Sequence, residues 1–345
     1  MTYPPLKTCR PVYENSPWKY QSIEIAGLPN LTIASRRRRW SSSPTVAKIS
    51  IIRMELMFSR KYSTGNSLVE TQSEPFQNQG KDPVRPSLPD ASFLHGLADA
   101  ADMVTLSCYR TALAIDEKIK PGYSFDPVTE ADRRTEEVLR DLIISAFPGH
   151  SIFGEEFGAV GDSTIQWIID PIVGTRPYLC GLPVWGTLIG LAIDGVSKMG
   201  LMTQPVTGER FWSVGDGSWT QWRGVQRALV TKQNRDLSQA IFHTNSPDRY
   251  VCHGDIAFDG LRRRTLMTRY GGECYAFAML AAGQIDLCLE LSLQAYDIAA
   301  LIPIIEGAGG PVTNLSGERV DLGGHVLASA NPWLHDQALK VLNAG

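Results

Sequence analysis

Three groups of acidic residues stand where apolar runs end. The first is Asp126-Pro127-Val128-Thr129-Glu130-Ala131-Asp132. The second pairs Gly154-Glu155-Glu156 with Asp170-Pro171-Ile172-Val173-Gly174-Thr175, and the third joins Glu290 to Tyr296-Asp297-Ile298-Ala299-Ala300. Hard divalent cations such as Mg²⁺ take oxygen ligands and keep several waters, so a few carboxylates and a carbonyl suffice for a site. Gly174-Thr175, after a strand-like run, offers backbone N–H groups of the kind that hold phosphate at a helix start. Together these groups would suit metal-assisted hydrolysis of a phosphate ester. Each also has a purely structural reading. Asp132 can cap a helix, Glu155-Glu156 can be a solvated turn, Asp170 can serve a turn before Pro171, and Asp297 can be an N-cap acid. Residue chemistry alone leaves both readings open.

The elements that must position these groups follow from periodicity. Phe93, Leu94, Leu97, Ala101 and Val104 recur at three- and four-residue spacing, which predicts an amphipathic helix over 90–115. A second helix starts near Thr129, where Thr129-Glu130-Ala131-Asp132 has the form of a capping box. Val138, Leu139, Leu142 and Ile143 give it an apolar face, and Pro148-Gly149 stop it. The run 165–169 predicts a buried strand ending at Asp170-Pro171. Another strand over 187–193, with turns at Asp194-Gly195 and Thr207-Gly208, makes 187–214 an antiparallel meander. Beyond it the pattern predicts a helix over 275–282, a strand over 285–290, a helix over 298–306, strands near 311–313 and 326–329, and a closing helix. Strands and helices mixed without a fixed repeat predict a layered α/β body.

The order and spacing of the acidic groups resemble the inositol monophosphatase superfamily of Mg²⁺-dependent, typically lithium-sensitive phosphatases, over about residues 90–345. The carrying segments, four in order, are Asp126–Asp132, Gly154-Glu155-Glu156, Trp167–Thr175, and Tyr296–Ala300 leading to Glu306-Gly307-Ala308-Gly309-Gly310. Gly174-Thr175-Arg176, Gly181-Leu182-Pro183-Val184-Trp185-Gly186-Thr187-Leu188-Ile189-Gly190 and Arg269-Tyr270-Gly271-Gly272-Glu273-Cys274-Tyr275 look most like the histidinol-phosphate phosphatase branch. That branch releases phosphate from L-histidinol phosphate in the penultimate step of histidine biosynthesis, an amino-acid biosynthesis pathway. Relatives hydrolyse inositol phosphates and other small esters.

The resemblance implies an α/β/α/β/α sandwich, a homodimer, and Mg²⁺ as cofactor, two or three ions in the family. By motif it implies that Glu155, Asp170 and the backbone carbonyl of Ile172 hold a first Mg²⁺, while Asp170 and Asp297 share a second. Thr175 paired with Asp132 would orient the attacking water, so Thr175, Asp132 and Glu155 form the catalytic set. The N–H groups of Gly174 and Thr175 would hold the phosphate, and Glu290 would face the alcohol portion of the substrate. Lys118 or Lys120 either approaches the site or is a surface lysine.

The family motif is Asp-Pro-x-Asp-Gly-Thr/Ser, and here Val173 stands in place of the second Asp. That carboxylate binds the second ion in the family, and Val offers no side-chain oxygen. Two expectations oppose each other. Metal affinity and turnover fall, or nearby acids, waters and substrate oxygens fill the gap. Three functional classes follow: a Mg²⁺-dependent phosphatase impaired by Val173, acting on histidinol phosphate or alternatively on inositol 1-phosphate or another small ester; an inactive homologue acting as a binding protein; and a nucleic-acid-binding protein using Arg36–Arg39. The acidic body argues against the last.

Charge divides the 345-residue chain. Residues 1–85 carry 13 Lys+Arg against 6 Asp+Glu, whereas the remainder carries 20 against 30, which hides inside a total of -3. The expected organisation is a basic, disordered extension over 1–88, followed by a phosphatase domain over 89–345. The extension reads as a mis-called start with initiation near Met54 or Met57, as an Arg- and Ser-rich transit peptide, or as a nucleic-acid contact. The first implies a cytoplasmic protein and the second a plastid or mitochondrial one. No window offers the roughly 20 apolar residues of a membrane helix. Six scattered cysteines argue against a disulfide scaffold or zinc ribbon. The histidines lie far apart, and Cys252-His253, Arg262-Arg263-Arg264, Cys180 and the tryptophans read as structural or solvated.

Overall fold

The computed structural model describes residues 88–112, 115–117, 127–250 and 256–344. The expected extension lies outside the described residues apart from Leu88, as do Lys118, Lys120, Asp126 and Cys252-His253. Helix α1 (Ala91–Cys108) begins where Asp90 Oδ1 accepts the N–H of Phe93 at 2.8 Å, an N-cap bond. It buries Phe93, Leu94, Leu97 and Ala101, as their spacing predicts, but ends well short of 115. Tyr109 is extended and Arg110 has a φ of 58°, which no helix continues. Strand β1 (Ile115–Glu117) then pairs with β2 (Pro127–Thr129). Helix α2 (Glu130–Ala146) carries the predicted capping box: Thr129 N–H donates to Asp132 Oδ2 at 2.8 Å, and Ala131 N–H donates to Thr129 Oγ1 at 3.1 Å.

Next come β3 (Ser151–Gly154), β4 (Gly158–Val160), β5 (Ile165–Val173), the short α3 (Thr175–Leu179), β6 (Gly186–Ile193), β7 (Val196–Gln204), β8 (Glu209–Ser213), β9 (Ser218–Trp222) and β10 (Val225–Ala228). The strands form one sheet in the order β10-β9-β8-β7-β6-β5-β3-β4, with only the β3–β5 pair parallel. The expected meander is there and extends to β10. β5 runs past its expected end, through Asp170-Pro171 to Val173.

The rest of the chain supplies β11 (Ile241–Thr244), α4 (Phe258–Arg262), β12 (Met267–Tyr270), α5 (Glu273–Ala281), β13 (Leu287–Gln294), α6 (Ala295–Ile298), α7 (Leu301–Gly307), β14 (Val312–Thr313), β15 (Gly323–Ser329) and α8 (Pro332–Leu342). A second sheet has the order β12-β11-β13-β15-β14. The helix expected over 298–306 is two helices, broken at Ala299-Ala300. Contacts stack the elements as α1 and α2, the first sheet, α5 to α7, the second sheet, then α4 and α8. This is the α/β/α/β/α sandwich. The middle layer holds a large apolar core that includes Leu188, Met202, Phe277, Ile298, Leu301 and Val326. Among the described residues no helix is long and apolar enough to cross a membrane.

The break between α6 and α7 has a physical seat. Gly190 and Gly200 are cross-strand partners on β6 and β7. A Cβ on Gly190 would stand 3.1 Å from the N atom of Ala300, and one on Gly200 would overlap the Ala300 carbonyl. The turn therefore lies directly on sheet backbone, and Asp297 is carried in with it. Gly200→Ala should destabilise the protein by about 1–3 kcal/mol or more, as overpacking does. Urea unfolding measures it, and an unchanged midpoint would show that the turn is not seated there.

Candidate active site

Pro171 cannot donate to a ladder, and β5 answers with a bulge: its register against β6 shifts between Asp170 and Val173. The Asp170 carboxylate accepts the N–H of Ile172 at 3.1 Å, and Thr187 Oγ1 donates to the Pro171 carbonyl at 2.7 Å. Asp170 is buried, and desolvation pushes its carboxyl well above the usual range. Glu155, Asp297 and Asp132 push the same way, and Glu155 is close enough to share a hydrogen bond with it. Gly174, at a φ of 90°, turns the chain into α3. Thr175 Oγ1 then lies 3.4 Å from Asp132 Oδ1 and 3.3 Å from the Ile172 carbonyl. Asp132 thus caps α2 with one oxygen and meets Thr175 with the other.

The supports of these groups come from farther away. Tyr178 of α3 donates to the Thr105 carbonyl at 2.8 Å and packs edge-on against buried Trp185. Just after α3, the Gly181 carbonyl accepts from Tyr109 Oη at 2.6 Å and Arg110 Nη2 at 2.8 Å. The Glu155-Glu156 turn is not a solvated one. Buried Glu136 of α2 accepts the N–H groups of Glu156 at 2.7 Å and Phe157 at 3.2 Å, and pairs with Arg140 at 2.8 Å. Gly154 carries no side chain because a Cβ there would overlap the Glu136 carboxylate.

A second bulge faces the first. β13 slips against β15 between Glu290 and Leu293, with Ser292 at a φ of 58°. Buried Glu290 accepts the N–H of Asn245 at 2.5 Å. Asn245 also exchanges two bonds of 2.8 Å with Glu273, its Nδ2 donating to the carboxylate and its Oδ1 accepting the Glu273 N–H. Glu273 has a φ of 47°, rare outside glycine, and packs against Gly174 so closely that a Cβ there would be 2.9 Å from Glu273 Cγ. Asp297 Oδ2 accepts the N–H of Gln294 at 2.6 Å, so it too is a capping acid. Desolvation pushes Glu290 up to about 8 and also raises Glu273, against the pull of Arg249 and Arg176.

A cavity of about 250 Å³ gathers these residues. Of the residues expected from the sequence, Glu155, Asp170, Ile172, Val173, Gly174, Thr175, Glu290 and Asp297 line it, and Asp132 reaches it through Thr175. Asn245, Arg249 and Glu273 line it as well and were not expected. Val173 is buried in the apolar core with Leu188, Met202 and Cys274. Among the described residues no three His, Cys, Asp or Glu side chains are already disposed to hold a metal ion by themselves. Cys180 and Trp222 are exposed, Trp185 and Trp212 are buried, and Arg262 and Arg263 pair with Asp259 at the surface.

Residues 89–344 match the model of the inositol monophosphatase family. The chain belongs to that family. Its members are metal-dependent phosphatases, hydrolases of phosphoric monoesters. The chain is 38% identical over 263 residues to the histidinol-phosphatase of Streptomyces coelicolor, covering 74% of this chain and 97% of that one. It is 36% identical over 260 residues to the bifunctional phosphatase IMPL2, chloroplastic, of Arabidopsis thaliana, covering 72% and 73%. Among solved structures, an inositol monophosphatase from Zymomonas mobilis superimposes with a TM-score of 0.64 at 34% identity, covering 72% and 96%. These findings agree with the family resemblance read from the motifs, including its histidinol-phosphatase side.

Two measurements test this geometry. Glu136→Ala leaves Arg140 and two N–H groups without their buried partner, so unfolding free energy should drop by about 3–5 kcal/mol in a denaturant titration. Glu290 has an ordinary value of 4.5 and stands near 8 when folded. Its contribution to stability is full below 4.5 and is lost as pH rises through 8. Glu290→Gln has no such loss, so its stability relative to the parent should rise between those limits; a constant difference across pH would refute the shift.

Proposed function

We propose that the chain is a Mg²⁺-dependent phosphatase acting on L-histidinol phosphate, with its second metal position weakened by Val173. The observation that carries this reading is the Thr175–Asp132 pair, 3.4 Å apart, beside the cavity-lining acids Glu155, Asp170 and Asp297. Glu155, Asp170, Asp297 and the Ile172 carbonyl are hard oxygen donors of the kind Mg²⁺ takes, and their crowding around buried Asp170 is a negative charge that a divalent cation offsets. These residues would hold the metal. Bound there, a divalent cation activates water and offsets charge on the leaving oxygen.

The chain's own groups do the rest. Thr175 Oγ1 holds the attacking water in line, with Asp132 Oδ1 ready to accept the hydroxyl proton. The N–H groups of Gly174 and Thr175 hold the phosphate, and Glu290 meets the alcohol. Val173 lies among carbon and sulfur neighbours, so Asp170 and Asp297 would hold the second position without a third carboxylate. The Streptomyces histidinol-phosphatase supports the substrate. The family match over 89–344 supports a phosphatase domain over 89–345, and the chloroplastic relative supports reading 1–88 as a targeting extension. A homodimer belongs to the same proposal.

The test is phosphate release from histidinol phosphate and inositol 1-phosphate across a Mg²⁺ titration, for the chain and for Val173→Asp. Histidinol phosphate should be the better substrate, and Val173→Asp should reach half-maximal rate at a Mg²⁺ concentration lower by about tenfold or more. Identical titrations would overturn the account of the second position. No release from either ester by either form would overturn the phosphatase reading in favour of an inactive homologue.

A further inference from the structure

Glu273 has no part in the chemistry above, yet it is held on several sides. Its backbone sits at a φ of 47°, its carboxylate and its N–H are both bonded to Asn245, and its side chain presses on Gly174. The same Asn245 gives its backbone N–H to Glu290. One amide residue therefore ties together two acids, one from the start of α5 and one from the bulge of β13, and both line the cavity. A left-handed non-glycine backbone costs about 1–3 kcal/mol and persists only where the surroundings impose it. A carboxylate brought into a cavity also loses solvation that a neutral alcohol does not restore. Two such acids side by side are offset best by a group that both donates hydrogen bonds and carries positive charge.

We propose that Glu273, held by Asn245, is a specificity-determining residue that, with Glu290, selects phosphate esters whose alcohol carries a cationic nitrogen. This rests on the phosphatase reading and adds a residue and a rule of selection to it. A polyol phosphate presents hydroxyl groups to the two acids and adds no positive charge to that of Arg249 and Arg176. An amino-alcohol phosphate brings an ammonium or imidazolium group to them while its phosphate lies at Gly174-Thr175. Desolvation raises both carboxyls, and the arriving cation draws them back to the charged form. Asn245 is the positioning residue, acting through the acids.

The experiment compares the full chain with Glu273→Gln and Asn245→Ala. Each is assayed for kcat and KM on histidinol phosphate and inositol 1-phosphate, and for calorimetric binding of free histidinol and free inositol. Glu273→Gln keeps the shape and an acceptor for Asn245 but removes the charge. It should raise KM for histidinol phosphate by at least about tenfold, the worth of a charged hydrogen bond, and change the inositol ester far less. Asn245→Ala should shift the same ratio in the same direction. Free histidinol should bind the parent chain more tightly than inositol and lose that preference in Glu273→Gln. Equal losses on both esters, or no preference for free histidinol over inositol, would overturn the proposal while leaving the phosphatase reading intact. Absence of turnover with the histidinol preference still present in binding would overturn the phosphatase reading and leave the selectivity standing.

Discussion

The mutual repulsion of carboxylates around Asp170 is the constraint that organises this molecule. A fully enclosed acid, crowded by Glu155, Asp297 and Asp132, is disfavoured by both desolvation and neighbouring charge. No single element would hold these four groups together. They are brought from β5, the turn after β3, α6 and α2, and three of the four are tethered by backbone N–H groups. Ile172 N–H bonds Asp170, Gln294 N–H bonds Asp297, and Thr129 N–H bonds Asp132. The tethers are short and local, while the elements carrying them are locked by the layered core. The fold supplies the energy that keeps unfavourable charges near one another, and a cation is the natural complement to what results.

Val173 relaxes this constraint in one place. An acid there would have added another negative charge within three residues of Asp170. The valine instead joins the apolar core with Leu188, Met202 and Cys274. Buried hydrocarbon in place of an enclosed acid favours the unliganded fold. Such a trade between stability and a strained site is common among enzymes. It leaves the rest of the acidic framework unaltered.

Much of this arrangement was legible in the residues, and what was not has a physical reason. The capping box at Thr129–Asp132, the strand ending in Asp170-Pro171 and the turn at Gly174 are local signals written in consecutive residues. Asn245 and Arg249 follow no local pattern, and Glu273 lies in the Arg269–Tyr275 motif without a role being assigned to it. They become neighbours of Glu290 only when β11, α5 and β13 assemble, so their proximity is a tertiary fact. Glu136 was hidden differently: it is one of several charged residues of α2 with no local sign of burial, yet it is buried beneath the Glu155 turn. The helix expected over 298–306 was split because Gly190 and Gly200, far away in sequence, let Ala300 touch the sheet. β3 and β11 are too short to show alternation, and β12 is an exposed edge strand with little pattern to read.

The cavity wall is shared between layers. Asp170 and Thr175 belong to the first sheet and its loop, Asp297 to the middle helices, and Glu290 to the second sheet. A molecule bound there is therefore a fastener between the two halves of the sandwich. A ligand that binds only the folded chain adds about 2.7 kcal/mol at a hundred times its Kd, comparable to a disulfide. Occupancy of this one small cavity is thereby converted into cohesion of the whole body. The supply of any such ligand then helps set the stability of the native state.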